Sequence, residues 1–143
     1  MKDYKKDDIQ NMKLVFAIYK GMKAMRKQES EKILEAGVTF PQFEVLVVVY
    51  HFNGITVNGI IERTLSTIGN ISFVISNLIK DGMLKSESCK NDKRSKIISL
   101  TEKGQDFMDD FFPKHLKNLE DIFSIYNHEE KEIIVNLLKR LSS

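Results

Sequence analysis

A single cysteine, Cys89, stands among 143 residues, so no disulfide can form within the chain. No apolar run approaches the roughly 18 residues that a membrane-spanning helix needs. The first residues, Met1 to Gln10, are charged and lack the apolar stretch of a signal peptide. A cytoplasmic protein is therefore expected. There is no Pro/Gly-rich linker, no low-complexity stretch and no internal repeat, so residues 1–143 are expected to form one domain. Catalytic signatures are missing as well: no glycine-rich phosphate loop, no nucleophile elbow and no paired carboxylates with an evident partner. Asp109 and Asp110 point in different directions on a helix and read as solvated. His51, His115 and His128 fall in no metal-ligand spacing and read as surface or helix-end residues. An enzyme is not expected, and neither is a metal or a cofactor.

What remains is ordinary globular composition, 42% hydrophobic and 29% charged, which suffices for one real core. The net charge of +2 hides a segregation. From Ile55 to Lys103 eight bases oppose five acids, and from Gly104 to Ser143 five bases oppose eight acids. A basic middle and an acidic tail suit a face that meets a polyanion, although solvated charge can also segregate by chance.

Periodicity divides the chain into helices and one hairpin. Ile9, Met12, Phe16, Tyr19 and Met22 recur at three- and four-residue steps, which predicts a long helix over 8–34 that stops at Gly37. Thr39 with Gln42 forms a capping box ahead of the apolar run from Phe43 to Phe52. The valines of that run favour a strand by propensity, but the cap argues for a buried helix, broken at Asn53-Gly54. Thr56 can cap a short helix through Arg63. Ser66 or Thr67 can cap the next, which runs to Lys80 and stops at Asp81-Gly82. Leu84 to Glu87, a polar tip, and Ser95 to Leu100 read as a hairpin with a basic end. Thr101 caps a further long helix, which Pro113 should bend, and Asn127 with Glu130 starts the last one. The fold class is thus mainly α with a small β-hairpin wing: a winged helix-turn-helix with long N- and C-terminal helices.

The second short helix is the informative element. Ile71, Val74, Ile75, Leu78 and Ile79 cluster on one side and should face the core. The other side carries Phe73, Ser76, Asn77 and Lys80, with Gly69 and Asn70 at the start, and such a face suits a major-groove reader. Phe73 can touch a thymine methyl or lie against deoxyribose, or it is simply a lone exposed apolar residue. The hairpin tip, Lys90-Asn91-Asp92-Lys93-Arg94, can follow phosphates, and its arginine can enter a narrow minor groove. Asp92 is placed to hold the Arg94 guanidinium by a charge-assisted bond.

The run from Val38 to Asp110 resembles the MarR family of bacterial winged-helix regulators. The matching pieces are Thr39-Phe40-Pro41-Gln42-Phe43-Glu44-Val45-Leu46, Gly69 to Ile75, and Leu78-Ile79-Lys80-Asp81-Gly82-Met83-Leu84. Asp92-Lys93-Arg94-Ser95-Lys96 and Leu100-Thr101-Glu102-Lys103-Gly104 follow, and these are the most specific. The resemblance implies a homodimer that binds palindromic duplex DNA, usually as a repressor, and that responds to a phenolic compound or an oxidant. It implies a DNA-binding winged helix over about 38–103 and dimerisation helices over about 8–34 and 104–143. It implies DNA contacts from Asn70, Ser72, Phe73, Ser76, Asn77 and Arg94, and Thr67, Lys80, Lys90 and Lys93 are expected to contact DNA beside them. Many relatives carry arginine where this chain has Phe73, so their base preference does not carry over. A small aromatic effector would sit near Tyr19, Phe43, His51 and Phe111, residues that could equally be ordinary core. Cys89, beside Lys90, reads as an incidental exposed thiol, since the family's oxidant sensors place their cysteine near the N-terminal helix. The competing function is a winged-helix module that contacts only proteins.

Overall fold

The computed structural model describes residues 2–64, 70–89, 91–92 and 94–143. Among them the order is α1 Lys6–Glu35, α2 Phe40–His51, β1 Ile55–Thr56, α3 Val57–Arg63, α4 Ile71–Lys80, β2 Leu84–Ser88, β3 Lys96–Leu100, α5 Glu102–Ile122 and α6 His128–Ser142. The chain forms two compact units, one of residues 30–115 and one of residues 1–29 with 116–143.

In the 30–115 unit, local chemistry sets the helix boundaries. At the end of α1, Gly37 takes φ +100° and its amide donates to the Leu34 carbonyl at 3.0 Å, which stops the helix. The expected capping box then starts α2. The Gln42 amide donates to Thr39 Oγ1 at 3.3 Å, and the Thr39 amide donates to Gln42 Oε1 at 2.9 Å. The valine-rich α2 buries Phe43, Val45, Leu46, Val48 and Val49, so packing overrides its strand propensity. These residues join Ile33, Ile60, Ile75, Leu78, Leu84, Ile98 and Met108 in one apolar core. Each such side chain contributes roughly 1.5–3 kcal/mol by leaving water.

The hairpin is present, and it pairs with a third strand. β2 and β3 run antiparallel with Leu84 opposite Leu100 and Ser86 opposite Ile98. β1 pairs with the other edge of β3, Ile55 opposite Ile98, giving the order β1-β3-β2. A strand of two residues carries no readable period, and Thr56 in the same place also caps α3 by accepting the Gly59 amide at 3.0 Å. Pro113, expected to bend its helix, lies inside α5, which continues through it to Ile122.

In the other unit, α1 contributes its first 24 residues and α5 its last seven. The Asn118 side-chain amide donates to the Gln28 carbonyl at 3.4 Å, and Ile122 is buried. The α6 helix starts at a second capping box, with the Glu130 amide donating to Asn127 Oδ1 at 2.9 Å. It buries no residue of its own, and Ile133, Leu137 and Leu141 are all more than half exposed.

Candidate nucleic-acid interface

The candidate reading helix, α4, is held at its C-terminal end. Gly82 takes φ +77°, the Met83 amide donates to the Leu78 carbonyl at 2.9 Å, and the Gly82 amide donates to Ile79 at 3.0 Å. This pair of bonds is the Schellman closure. The start of α5 then grips the same turn. The Thr101 hydroxyl donates to the Gly82 carbonyl, the Thr101 amide donates to Met83 at 3.1 Å, and Lys103 Nζ donates to Asp81 at 2.8 Å. Gly104 is required here because any Cβ would overlap the Met83 carbonyl oxygen. The Leu-Thr-x-x-Gly signature is therefore a clasp that fixes α4 to the sheet and to α5.

Ile71, Ile75 and Leu78 are buried, and Val74 is half-buried. Ile79, expected with them, is 37% exposed, because it sits at the margin of the apolar stripe. The outward face presents Asn70, Ser72, Phe73, Ser76 and Lys80 to solvent, while Asn77 is half-buried. Asn70 is the N-cap of the described helix and makes no side-chain capping bond. The caps expected at Ser66 or Thr67, the contact at Thr67 and the Gly69 start lie outside the described residues.

The wing tip is organised by Asp92, though not in the way its spacing suggested. Asp92 Oδ1 accepts the Arg94 backbone amide at 3.0 Å, Oδ2 accepts the Ser95 hydroxyl at 3.4 Å, and the Asp92 carbonyl accepts the Ser95 amide at 3.1 Å. Among the described residues no ion pair joins Asp92 to the Arg94 guanidinium, which stays exposed. The carboxylate is engaged in closing the turn, an Asx-type use of the side chain. Cys89, half-buried, donates its amide to the Ser95 carbonyl at 2.9 Å and marks the base of that turn. Lys90 and Lys93, expected as phosphate contacts, lie outside the described residues.

The four residues expected around an effector are placed differently. Phe43 and Phe111 are 4% and 7% exposed and meet edge to face with centroids 5.3 Å apart, as core residues do. His51 is exposed, with Nδ1 2.8 Å from the Val47 carbonyl, and its ring meets Phe112 at 5.1 Å. Tyr19 belongs to the other unit and is 65% exposed. An open groove of about 540 Å³ lies elsewhere, over the α2–β1–α3 junction, walled by Asn53, Asn58, Glu62 and Arg63 among others. None of the four expected residues lines it.

Two residues depart from the sequence reading. His115 is not a surface histidine: it is 7% exposed, its ring sits 4.7 Å from that of Phe43, and Nδ1 has no hydrogen-bond partner. Burial lowers its pKa below the ordinary 6.5. Asp109 is exposed but engaged, accepting from Tyr50 Oη at 2.8 Å and from Gln105 Nε2 at 3.0 Å. That bond to the carboxylate, together with its negative charge, raises the Tyr50 pKa.

A family model described as MarR family matches residues 36–95. The chain is 30% identical over 130 residues to the uncharacterized HTH-type transcriptional regulator YkoM of Bacillus subtilis, covering 91% of this chain and 83% of that protein. The fold is similar to that of a mutant MarR from E. coli complexed with operator DNA, with TM-score 0.82, 18% identity and coverage of 92% of this chain and 95% of that one. It is similar also to BpsR of Bordetella bronchiseptica, whose DNA binding is regulated by 6-hydroxynicotinic acid, with TM-score 0.81, 19% identity and coverage of 92% and 99%. No single helix among the described residues is long and apolar enough to cross a membrane. The chain belongs to the MarR family of helix-turn-helix transcriptional regulators.

Proposed function

We propose that this chain is a homodimeric, cytoplasmic repressor that binds palindromic duplex DNA and is released by a small aromatic compound or an oxidant. The observation that carries the DNA reading is the clasped α4 helix, which presents Ser72, Phe73, Ser76 and Lys80 outward while its opposite side enters the core. A rigidly held helix with small polar groups outward fits a major groove, and the exposed Arg94 suits a narrow minor groove beside it. Asn70 and Asn77 would add base contacts. Thr67, Lys80, Lys90 and Lys93 would add phosphate contacts, which position without specifying. The winged helix over about 38–103 would carry the DNA contacts, and the helices over about 8–34 and 104–143 would carry dimerisation.

Dimerisation is supported by the exposed apolar side chains of α1 and α6. Phe16 is 69% exposed and Leu141 77% exposed, and such faces normally mark association. An isologous pair would place two reading helices about one helical turn of DNA apart. The effector reading rests on the family and on the relative regulated by 6-hydroxynicotinic acid. Phe43, His51 and Phe111 of the 30–115 unit are its proposed contacts.

Selection of bound duplexes from a random pool tests the whole reading. A two-fold symmetric sequence should emerge, and its affinity should fall steeply with salt. Equal retention of all duplexes would favour a module that contacts proteins instead.

A further inference from the structure

We infer that Phe73 reads the 5-methyl group of a thymine, beside an adenine read by Asn70, so that each half-site is centred on A·T pairs. This rests on the proposal that α4 enters duplex DNA. Among the described residues of α4 the one charged side chain is Lys80, in the last turn. The helix therefore offers no guanidinium for guanine and no carboxylate for cytosine. Ser72 and Ser76 both donate and accept, so they pair with several base edges and discriminate weakly. Asn77 is half-buried.

Two side chains then remain with something specific to say. The Phe73 ring is 58% exposed in the middle of the outward face. Among the described residues it meets no other aromatic ring and no cation. The thymine methyl is the apolar feature of the major-groove edge, and burying it against a phenyl ring removes both from water. Asn70 stands at an N-cap, where asparagine normally commits its side-chain oxygen to a backbone amide of the first turn. Among the described residues it makes no such bond, and a carboxamide not committed to the cap can offer adenine N7 a donor and adenine N6 an acceptor. Asn70 is the N-cap of the helix, three residues before Phe73, and both are exposed.

The test uses a duplex recovered by selection, with its thymines replaced one at a time by deoxyuridine. This deletes the methyl and leaves base pairing intact. At one thymine per half-site the unmodified protein should lose about fourfold in affinity, the scale of one buried methyl-sized group. Substituting both symmetric positions should cost about fifteenfold, the same factor applied twice. Phe73→Ala should bind the thymine and deoxyuridine duplexes alike, Phe73→Leu should keep part of the difference, and Asn70→Ala should relax the adjoining preference for adenine. The exposed position of Phe73 predicts an unchanged melting midpoint for its variants, which separates reading from folding.

Tolerance of deoxyuridine at every position, with the duplex still bound tightly and in a salt-dependent way, overturns the methyl contact and leaves the DNA reading standing. A penalty that survives in Phe73→Ala assigns the methyl to another residue and overturns it too. If no duplex outcompetes scrambled DNA, the DNA reading itself falls and this inference falls with it.

Discussion

Gly104→Ala sets two ordinary effects against each other at the clasp between α4 and α5. Glycine inside a helix costs up to about 1 kcal/mol relative to alanine, part of it through the looser unfolded chain, so this substitution normally stabilises. Here the new methyl would overlap the Met83 carbonyl oxygen and would lie 3.1 Å from Leu100 Cδ2. Overpacking of this kind costs about 1–3 kcal/mol. The obstructing atom is backbone, so no rotamer change can relieve it, and the helix must withdraw. Withdrawal also weakens the bond from the Thr101 amide to that same carbonyl, worth about 1 kcal/mol more. The sum of losses exceeds the gain, and the net expectation is a destabilisation of roughly 1–3 kcal/mol. Urea unfolding at fixed protein concentration would read this as a lower midpoint with unchanged slope. DNA affinity should fall as well, because the displaced turn carries the end of α4. A midpoint at or above that of the unmodified protein would refute the clasp.

Other substitutions address the remaining proposals. Leu137→Asp with Leu141→Asp should weaken the dimer and DNA binding together, and sedimentation across a dilution series reads the first effect. Lys80→Ala should weaken binding to all duplexes alike and flatten the dependence of log affinity on log salt by roughly one unit per protomer. Burial holds His115 neutral in the folded protein, with its pKa below the ordinary 6.5 that the unfolded chain shows. The unfolded state therefore takes up the proton first, so this contribution to stability is intact above pH 6.5 and is lost as pH falls below it. His115→Leu should remove that part of the acid sensitivity, and urea midpoints over a pH series would show an unaltered loss if the reading is wrong.

Much of the fold was legible because its boundaries are set by neighbours in sequence. The Thr39–Gln42 and Asn127–Glu130 boxes are local chemistry, and both appear as expected. So do the stops at Gly37 and Gly82, where only a left-handed residue allows the closing bonds. The departures are settled by what lies far away in sequence. β1 exists only because β3 offers an edge some 40 residues later, and two residues cannot announce that. His115 has the composition of a surface residue and the surroundings of a core one, because Phe43 packs against it from another helix. Ile79 falls at the edge of a stripe, where a wheel drawn from sequence cannot say which side the sheet covers.

The candidate site divides along the same line, and the division bears on how such a sequence should be read. The pieces most recognisable as family signature are engaged in holding backbone. Asp92 closes the wing turn through Arg94 and Ser95, Thr101 and Lys103 bind the carbonyls that end α4, and Gly104 makes room for Met83. Their roles depend on fixed backbone geometry in this chain, so they hold the fold and carry no base preference. Asn70 and Phe73 have the opposite character. Among the described residues the Asn70 side chain makes no capping bond, and Phe73 stands in solvent. Side chains released from the fold in this way are free to vary with the DNA they meet. It follows that the discriminating residues of this chain are to be sought among side chains that the fold leaves exposed and uncommitted, and Phe73 is such a place.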